Sequence, residues 1–264
     1  MKWRKMGLIY APTGELWWAK GYAHLPTVEV MHGKSIRVYF DSLDDNKYGR
    51  IGYVDLDIDN PKKIIYLANE PVLDIGLPGA FDDSGVNPSC IVNQGENKLL
   101  YYVGWQRSER VPYMFYTGLA VSKDNGLTFE KYSQVPVLDR TPQDPFSRAT
   151  LCVLAEKDNF RGWYFSCKEW ITNGDWVHYY NVIKHTHSED GINWTSTDHI
   201  CLAPEGEFDY ALGRPWVIKD NEIYKMWFSI RSKLEGREYR IGYAESDDGL
   251  NWIRKDEEVG IEAS

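Results

Sequence analysis

The sequence predicts an all-β protein, a β-propeller of four-stranded antiparallel blades, and three observations carry that expectation. An aromatic strand recurs at Ile36–Asp41, Leu99–Gly104, Arg161–Ser166 and Tyr224–Ser229. Aligning Tyr39, Tyr102, Tyr164 and Trp227 gives separations of 63, 62 and 63 residues. Each aromatic strand lies between two further apolar segments, and no stretch sustains the 3.6-residue apolar period of a helix. A multi-strand unit repeated at about 60 residues is the signature of propeller blades.

The elements follow in order. The strand before each aromatic one reads Thr27–Val30, Ser89–Val92, Thr150–Leu154 and Trp216–Ile218. The strand after it reads Arg50–Tyr53, Thr117–Ala120, Val182–His185 and Arg240–Ala244. Three repeats then carry a related turn, at Ser122–Phe129, Ser188–Trp194 and Ser246–Trp252. Its Asn-Gly or Asp-Gly supplies the positive φ of a tight hairpin, and the closing aromatic opens a fourth strand. The first repeat uses Asp59-Asn60-Pro61 instead. The repeats span approximately 22–80, 81–141, 142–205 and 206–264 of one propeller domain, 1–264. Residues 1–21 are expected to supply closing strands, Gly7–Tyr10 and Glu15–Ala19. The ring is therefore four-bladed, or of the five-bladed type with four full repeats and an incomplete fifth.

Composition narrows the function. The chain has 264 residues, 30 Lys+Arg against 39 Asp+Glu and a net charge of −9. That balance argues against nucleic acid or an anionic membrane as partner. No apolar run reaches the roughly 20 residues of a membrane helix, and no secretory signal is evident, so a cytoplasmic location is expected. The four cysteines show no C-x-x-C pair and read as small buried hydrophobes. With 11 Trp and 18 Tyr, the aromatic fraction is 14%, which suits strands and sugar-stacking surfaces.

In a propeller, residues just before strand one and just after strand two of each blade converge on the mouth of the central channel. The hairpins of the Asp-Gly turns lie on the opposite face, so Asp124, Asp190 and Asp248 read as turn formers. Asp83, Asp144 and Asp209 precede strand one in repeats two, three and four, with separations of 61 and 65. Carboxylates from successive blades facing one channel suit glycosidic cleavage, in which one protonates the leaving oxygen and another activates water or attacks the sugar. Glu207 and Glu169 are rival acids, and the bland alternative is that Asp-Pro and Asp-x-x-Gly are loop chemistry. Cations border the same face: Arg107, Lys168 and Arg231 after strand two, Arg148 and Arg214 beside strand one. Such a cluster suits a carboxylate or phosphate, or else pairs with the acids themselves. Trp105 and Trp170 are expected sugar platforms, Asn87 a further contact, and His24 an orienting group or base. His185 and His187 share one face of a strand as half a metal site without an evident third ligand.

The Ser-x-Asp-Gly hairpins, the aromatic strands and Arg214-Pro215 resemble the five-bladed propellers of glycoside hydrolase families 43, 32 and 68. The resemblance is greatest to family 43-like proteins associated with bacterial surface-polysaccharide gene clusters. The turn Ser122–Phe129 also fits the Asp-box of sialidases. The resemblance implies a first-blade Asp-Pro whose carboxylate is base or nucleophile; here that position reads Leu25-Pro26, so the acid is missing. Asp144-Pro145 is similar to the family's middle-blade Asp, and Asp83, Asp209 or Glu207 would replace the family's Glu. The expected function is glycosidic cleavage by a glycosidase, or else sugar or nucleotide-sugar binding without turnover. No cofactor is required, a single structural cation in the central channel is implied as an option, and an oligomer follows if a blade is completed in trans.

Overall fold

The computed structural model describes residues 3–174, 176–235 and 238–261. Strands form where apolar and polar residues alternate and stop at Gly, Asn and Asp turns. Four groups of four result, each paired in sequence order. The first is β1 (Gly21–Val30), β2 (Ser35–Leu43), β3 (Gly49–Asp57) and β4 (Ile64–Leu67). The second is β5 (Gly85–Gln94), β6 (Asn97–Arg107), β7 (Tyr113–Ser122) and β8 (Glu130–Lys131). The third is β9 (Arg148–Ala155), β10 (Phe160–Asn173), β11 (Trp176–Ser188) and β12 (Ile200–Leu202), and the last is β13 (Asp209–Asp220), β14 (Ile223–Ser232), β15 (Tyr239–Ser246) and β16 (Ile253–Arg254). These are the four-stranded meanders expected from the repeats.

The described chain divides into two compact units. Arg4–Arg107 with Phe115–Pro136 holds the first two meanders, and the rest holds the third and fourth. Within each unit the meanders join by one parallel step, Gly49 beside Gly85 in one and Asn181 beside Ala211 in the other.

Both units use the same latch between meanders. The second strand of the earlier meander donates to the Ser-x-Asp-Gly turn of the later one. Arg37 Nη1 reaches Asn125 O at 3.2 Å and Tyr39 Oη reaches Gly126 O at 3.1 Å. Arg161 Nη2 reaches Asp248 O at 2.7 Å and Trp163 Nε1 reaches Gly249 O at 2.8 Å. The turns present those carbonyls because their Asp is spent on its own backbone. Asp190 accepts from the N–H of Ile192 and Asn193, and Asp248 from those of Leu250 and Asn251. Asp124 accepts likewise from Leu127 and Thr128 and is held down at about 2: burial pushes it up, but the Thr128 and Ser122 hydrogen bonds outweigh that. All three are turn residues, as the sequence predicts.

Strand pairing moves the repeat alignment by one residue at two places. Phe40 lies opposite the β1 bulge at Leu25-Pro26, Tyr164 opposite the β9 bulge at Thr150-Leu151, and Phe228 opposite the β13 bulge at Arg214-Pro215. Phe40 and Phe228, rather than Tyr39 and Trp227, are thus the partners of Tyr164. Leu25, Thr150 and Arg214 take left-handed φ values of 49°, 54° and 46° at these bulges.

The expected strands Gly7–Tyr10 and Glu15–Ala19 do not form; residues 3–20 contain no strand. This segment packs irregularly, and its anchor is Trp18, fully buried against Phe40, with Nε1 donating to Asn69 O at 3.0 Å. Gly52 makes room for the indole, since a Cβ there would lie 2.0 Å from Trp18 Cη2. Trp18→Ala is expected to lower unfolding stability by about 3–5 kcal/mol, read from urea midpoints by far-UV circular dichroism.

Candidate functional site

In the unit holding the third and fourth meanders, Asp144 ends the loop before β9, where its N–H donates to Thr141 O at 3.1 Å. Its side chain is fully buried and surrounded by cations. Lys184 of β11 donates to both oxygens at 3.0 Å, Lys168 reaches Oδ1 at 3.1 Å, and Arg148 Nε lies 3.6 Å from Oδ2. Ser166 donates at 2.7 Å and Tyr164 Oη at 3.1 Å. Burial pushes the carboxyl up, but the hydrogen bonds from Ser166 and Lys184 and the Lys184 charge hold it below the ordinary Asp range. The expected channel-mouth acid is instead an internal counter-ion. Lys168 is the half-exposed member, and it sits at the β10 bulge between Cys167 and Glu169, where a residue has no cross-strand partner. Its ammonium also donates to Gln143 O at 2.7 Å.

The hairpin of β10 and β11 continues to a second cluster. Trp170 faces its cross-strand neighbour Tyr179 edge-on at 5.5 Å. Arg231 of β14 donates through Nη1 to Tyr179 Oη, and its guanidinium lies 4.7 Å from the Tyr239 ring, 5.5 Å from Tyr179 and 5.8 Å from Tyr210. Trp170 Nε1 and Arg231 Nε are both buried donors with no hydrogen-bond partner among the described residues.

The remaining residues of this unit are distributed differently. Asp209 is nearly buried in an ion pair with both terminal nitrogens of Arg240. Glu207 is exposed, as is Glu169. Arg214 occupies the β13 bulge, where its N–H donates to Thr150 Oγ1 at 3.2 Å, tying two inner strands together. His185 accepts from Arg161 Nε at 3.3 Å, and burial, then the Arg161 charge, pushes it down to about 4. It serves the latch. Among the described residues no group of three His, Cys, Asp or Glu is placed to hold a metal ion.

In the other unit, Asp83 is a loop residue: it accepts from Gly79 N–H and Ser84 Oγ, both at 2.9 Å. Its neighbour Asp82 is the true match of Asp144. It is buried, accepts from Tyr102 Oη at 2.9 Å as Asp144 does from Tyr164, and pairs with Lys131 at 2.6 Å. Trp105 packs flat on Gly49 and Gly85. Arg107 donates to Asn46 O at 3.0 Å and to Lys47 O, and stacks over Tyr48 at 4.8 Å, so it closes the turn before β3. Asn87 is half-buried in β5 opposite Val103. His24 stands out: Nδ1 lies 3.2 Å from Oδ2 of the fully buried Asp41, and its ring stacks on Tyr22 at 4.8 Å. The hydrogen bond it donates to Asp41 raises the imidazole above its ordinary value.

Sequence reasoning named His24 but not Asp41, Asp82, Lys184 or the three tyrosines. Only Asp41 left a signal, as the one charged end among strands otherwise ending in Gly104, Ser166 and Ser229.

No protein-family model matches the chain. It is 38% identical, over all 264 residues and 86% of the relative's length, to the uncharacterized protein Rv1502 of Mycobacterium tuberculosis strain H37Rv. The uncharacterized protein MT1551 of strain CDC 1551 matches with the same identity and coverage. Among solved structures, a glycosyl hydrolase from Bacteroides ovatus superposes with a TM-score of 0.69 at 14% identity, covering 94% of this chain and 77% of its own. A thermostable family-43 glycoside hydrolase gives 0.65 at 20% identity, covering 87% and 70%. A structure from the GH130 family of mannoside phosphorylases, which contains glycoside hydrolases that target β-1,2-mannosidic linkages in Candida mannan, gives 0.67 at 15% identity, covering 94% and 77%. The fold is that of the glycoside hydrolase propellers.

Asp144 has a lowered pKa, so the stability it contributes is complete above the unfolded Asp value of about 3.9 and is lost as pH falls through its lower folded value. Asp144→Asn leaves Lys184 buried without its charge partner, which costs about 3–5 kcal/mol near neutrality. Thermal melts from pH 6 to pH 3 should show a shallower acid slope for the variant than for the wild type.

Proposed function

We propose that this chain is a carbohydrate-active protein whose ligand is an anionic sugar, of the sugar phosphate, uronic acid or nucleotide-sugar class. It belongs to the family of Mycobacterium tuberculosis Rv1502, and its fold is one on which sugar sites are built. Fold alone does not give activity, so the reading rests on the side chains.

The observation that carries it is the fate of Asp144. A carboxylate beneath Lys184, Lys168 and Arg148 has no proton to give and no open face, but it fixes the cations around it. Preorganised cations recognise phosphate or carboxylate at little further ordering cost. The neighbouring Trp170, Tyr179 and Tyr239, none of them buried, supply faces for sugar C–H groups. Nucleotide sugars join both chemistries in one molecule and are the activated units from which surface polysaccharides are assembled.

Glycosidic cleavage is the second reading, favoured by Glu207. Of the four carboxylates expected to be catalytic, it alone is exposed. In that reading Glu207 is the proton donor and Asp209, fixed by Arg240, the neighbouring carboxylate.

Isothermal titration with UDP-sugars, glucuronate-containing oligosaccharides and neutral oligosaccharides tests the proposal. The anionic ligands should bind, weaken with added salt, and lose at least tenfold in affinity, about 1.4 kcal/mol, in Arg231→Ala and in Lys168→Ala. Equal affinity for neutral sugars, or indifference to both substitutions, would refute it. Nitrophenyl glycosides assayed with Glu207→Gln decide the second reading.

A further inference from the structure

Three of the inner strands bulge opposite the equivalent ring of their own meander's second strand, and the cross-strand pair just before each bulge is comparable. In the third meander it is Ala149 with Phe165, and in the fourth Gly213 with Ser229. In the first meander it is His24 with Asp41. The fold therefore accepts small or apolar residues here and has no need of a buried carboxylate.

Asp41 is fully buried, which is costly for a carboxylate unless it is well partnered. Oδ2 takes the hydrogen bond of His24 Nδ1, while Oδ1 has no hydrogen-bond partner among the described residues. The His24 side chain is 45% exposed. Because a carboxylate only accepts, Nδ1 carries the proton, and the basic Nε2 is left free of that bond. The backbone around the ring is strained, with φ of 72° at Tyr22 and 49° at Leu25. Non-glycine residues held in that region mark places where the surroundings override local preference.

We propose that His24 and Asp41 form a proton-transfer pair, with His24 the catalytic base and Asp41 its positioning residue, acting on water at the anomeric carbon of a glycosyl compound. The inference rests on the carbohydrate reading above but not on the ion-pair cluster that supports it. In the step, the water O–H bond breaks and its proton goes to His24 Nε2. The electron pair left on oxygen forms the bond to the anomeric carbon, and the leaving group departs with the C–O pair. The imidazolium that forms is stabilised by Asp41, and the resting base returns when Nε2 gives its proton to solvent. A leaving group that is a stable anion, such as phosphate or an aryl oxide, needs no acid. The substrate class is therefore a glycosyl phosphate or a similarly activated glycoside.

The test uses the full chain with glucose 1-phosphate, mannose 1-phosphate, UDP-glucose and 4-nitrophenyl glycosides, measuring turnover and, separately, binding. His24→Gln, on a half-exposed side chain, should fold normally, keep affinity within threefold and lose at least 100-fold in kcat. Asp41→Asn should lose 10- to 100-fold in kcat, and the His24 imidazole should titrate at lower pH by NMR, a change that loss of packing alone does not produce. Sugar binding without turnover of any compound by the wild type overturns the pair and leaves the binding reading intact. Failure of every sugar to bind overturns both. Turnover by His24→Gln at the wild-type rate, or an unmoved His24 titration in Asp41→Asn, overturns the pair alone.

Discussion

Two residues of an inner strand set against one ring of the next strand is the constraint from which the described sites follow. At Leu25-Pro26, Thr150-Leu151 and Arg214-Pro215 the strand bulges past Phe40, Tyr164 and Phe228. These rings are 1%, 0% and 2% exposed. One residue in each bulge has left-handed φ despite its Cβ, a cost of about 1–3 kcal/mol apiece. Burial of the opposing ring repays that cost and fixes the bulge in register. A bulge re-aims the side chains on either side of it. His24 and Arg214 are placed by this device.

How far the sequence could be read follows from the range of the forces involved. The meanders and their turns were legible because alternation and turn chemistry are local. Asp124, Asp190 and Asp248 bind their own backbone and would do so in most surroundings. The alignment slipped by one residue where aromatics come in pairs, at Tyr39-Phe40 and Trp227-Phe228, because composition cannot say which ring faces the bulge. The same ambiguity at Asp82-Asp83 chose the loop carboxylate over the buried one. Gly7–Tyr10 and Glu15–Ala19 read as strands because they are rich in apolar residues, yet an apolar residue such as Trp18 buries itself equally well from irregular backbone when an anchor such as the Asn69 carbonyl is at hand.

The site was harder to read because its logic is one of partners. Asp144 stands out in the sequence as an acid before strand one, but its partner Lys184 lies 40 residues away in a strand that reads as structure. Sequence shows that acids and cations alternate around the blade ends; it does not show which neutralise each other. The pairs Asp209–Arg240 and Asp82–Lys131 are further acids consumed in this way. Arg231 was legible as a cation but its tyrosine surroundings were not, since Tyr179, Tyr210 and Tyr239 come from three strands.

Comparison among the repeats separates scaffold from function without any relative. Asp82 with Tyr102 and Lys131 parallels Asp144 with Tyr164 and Lys184, so one buried carboxylate accepting from a tyrosine and ion-paired with a lysine is a building device. What exceeds the device in the third meander is the addition of Lys168 and Arg148, two cations that the second meander does without. What exceeds it in the first is His24 with Asp41, where other meanders place Ala149 with Phe165 or Gly213 with Ser229. Desolvating a charge that the architecture does not need costs free energy, and such a charge is retained where it binds or moves something. The proposed recognition and proton transfer accordingly rest on the departures from the repeat, and the repeat itself is the frame that holds those residues still.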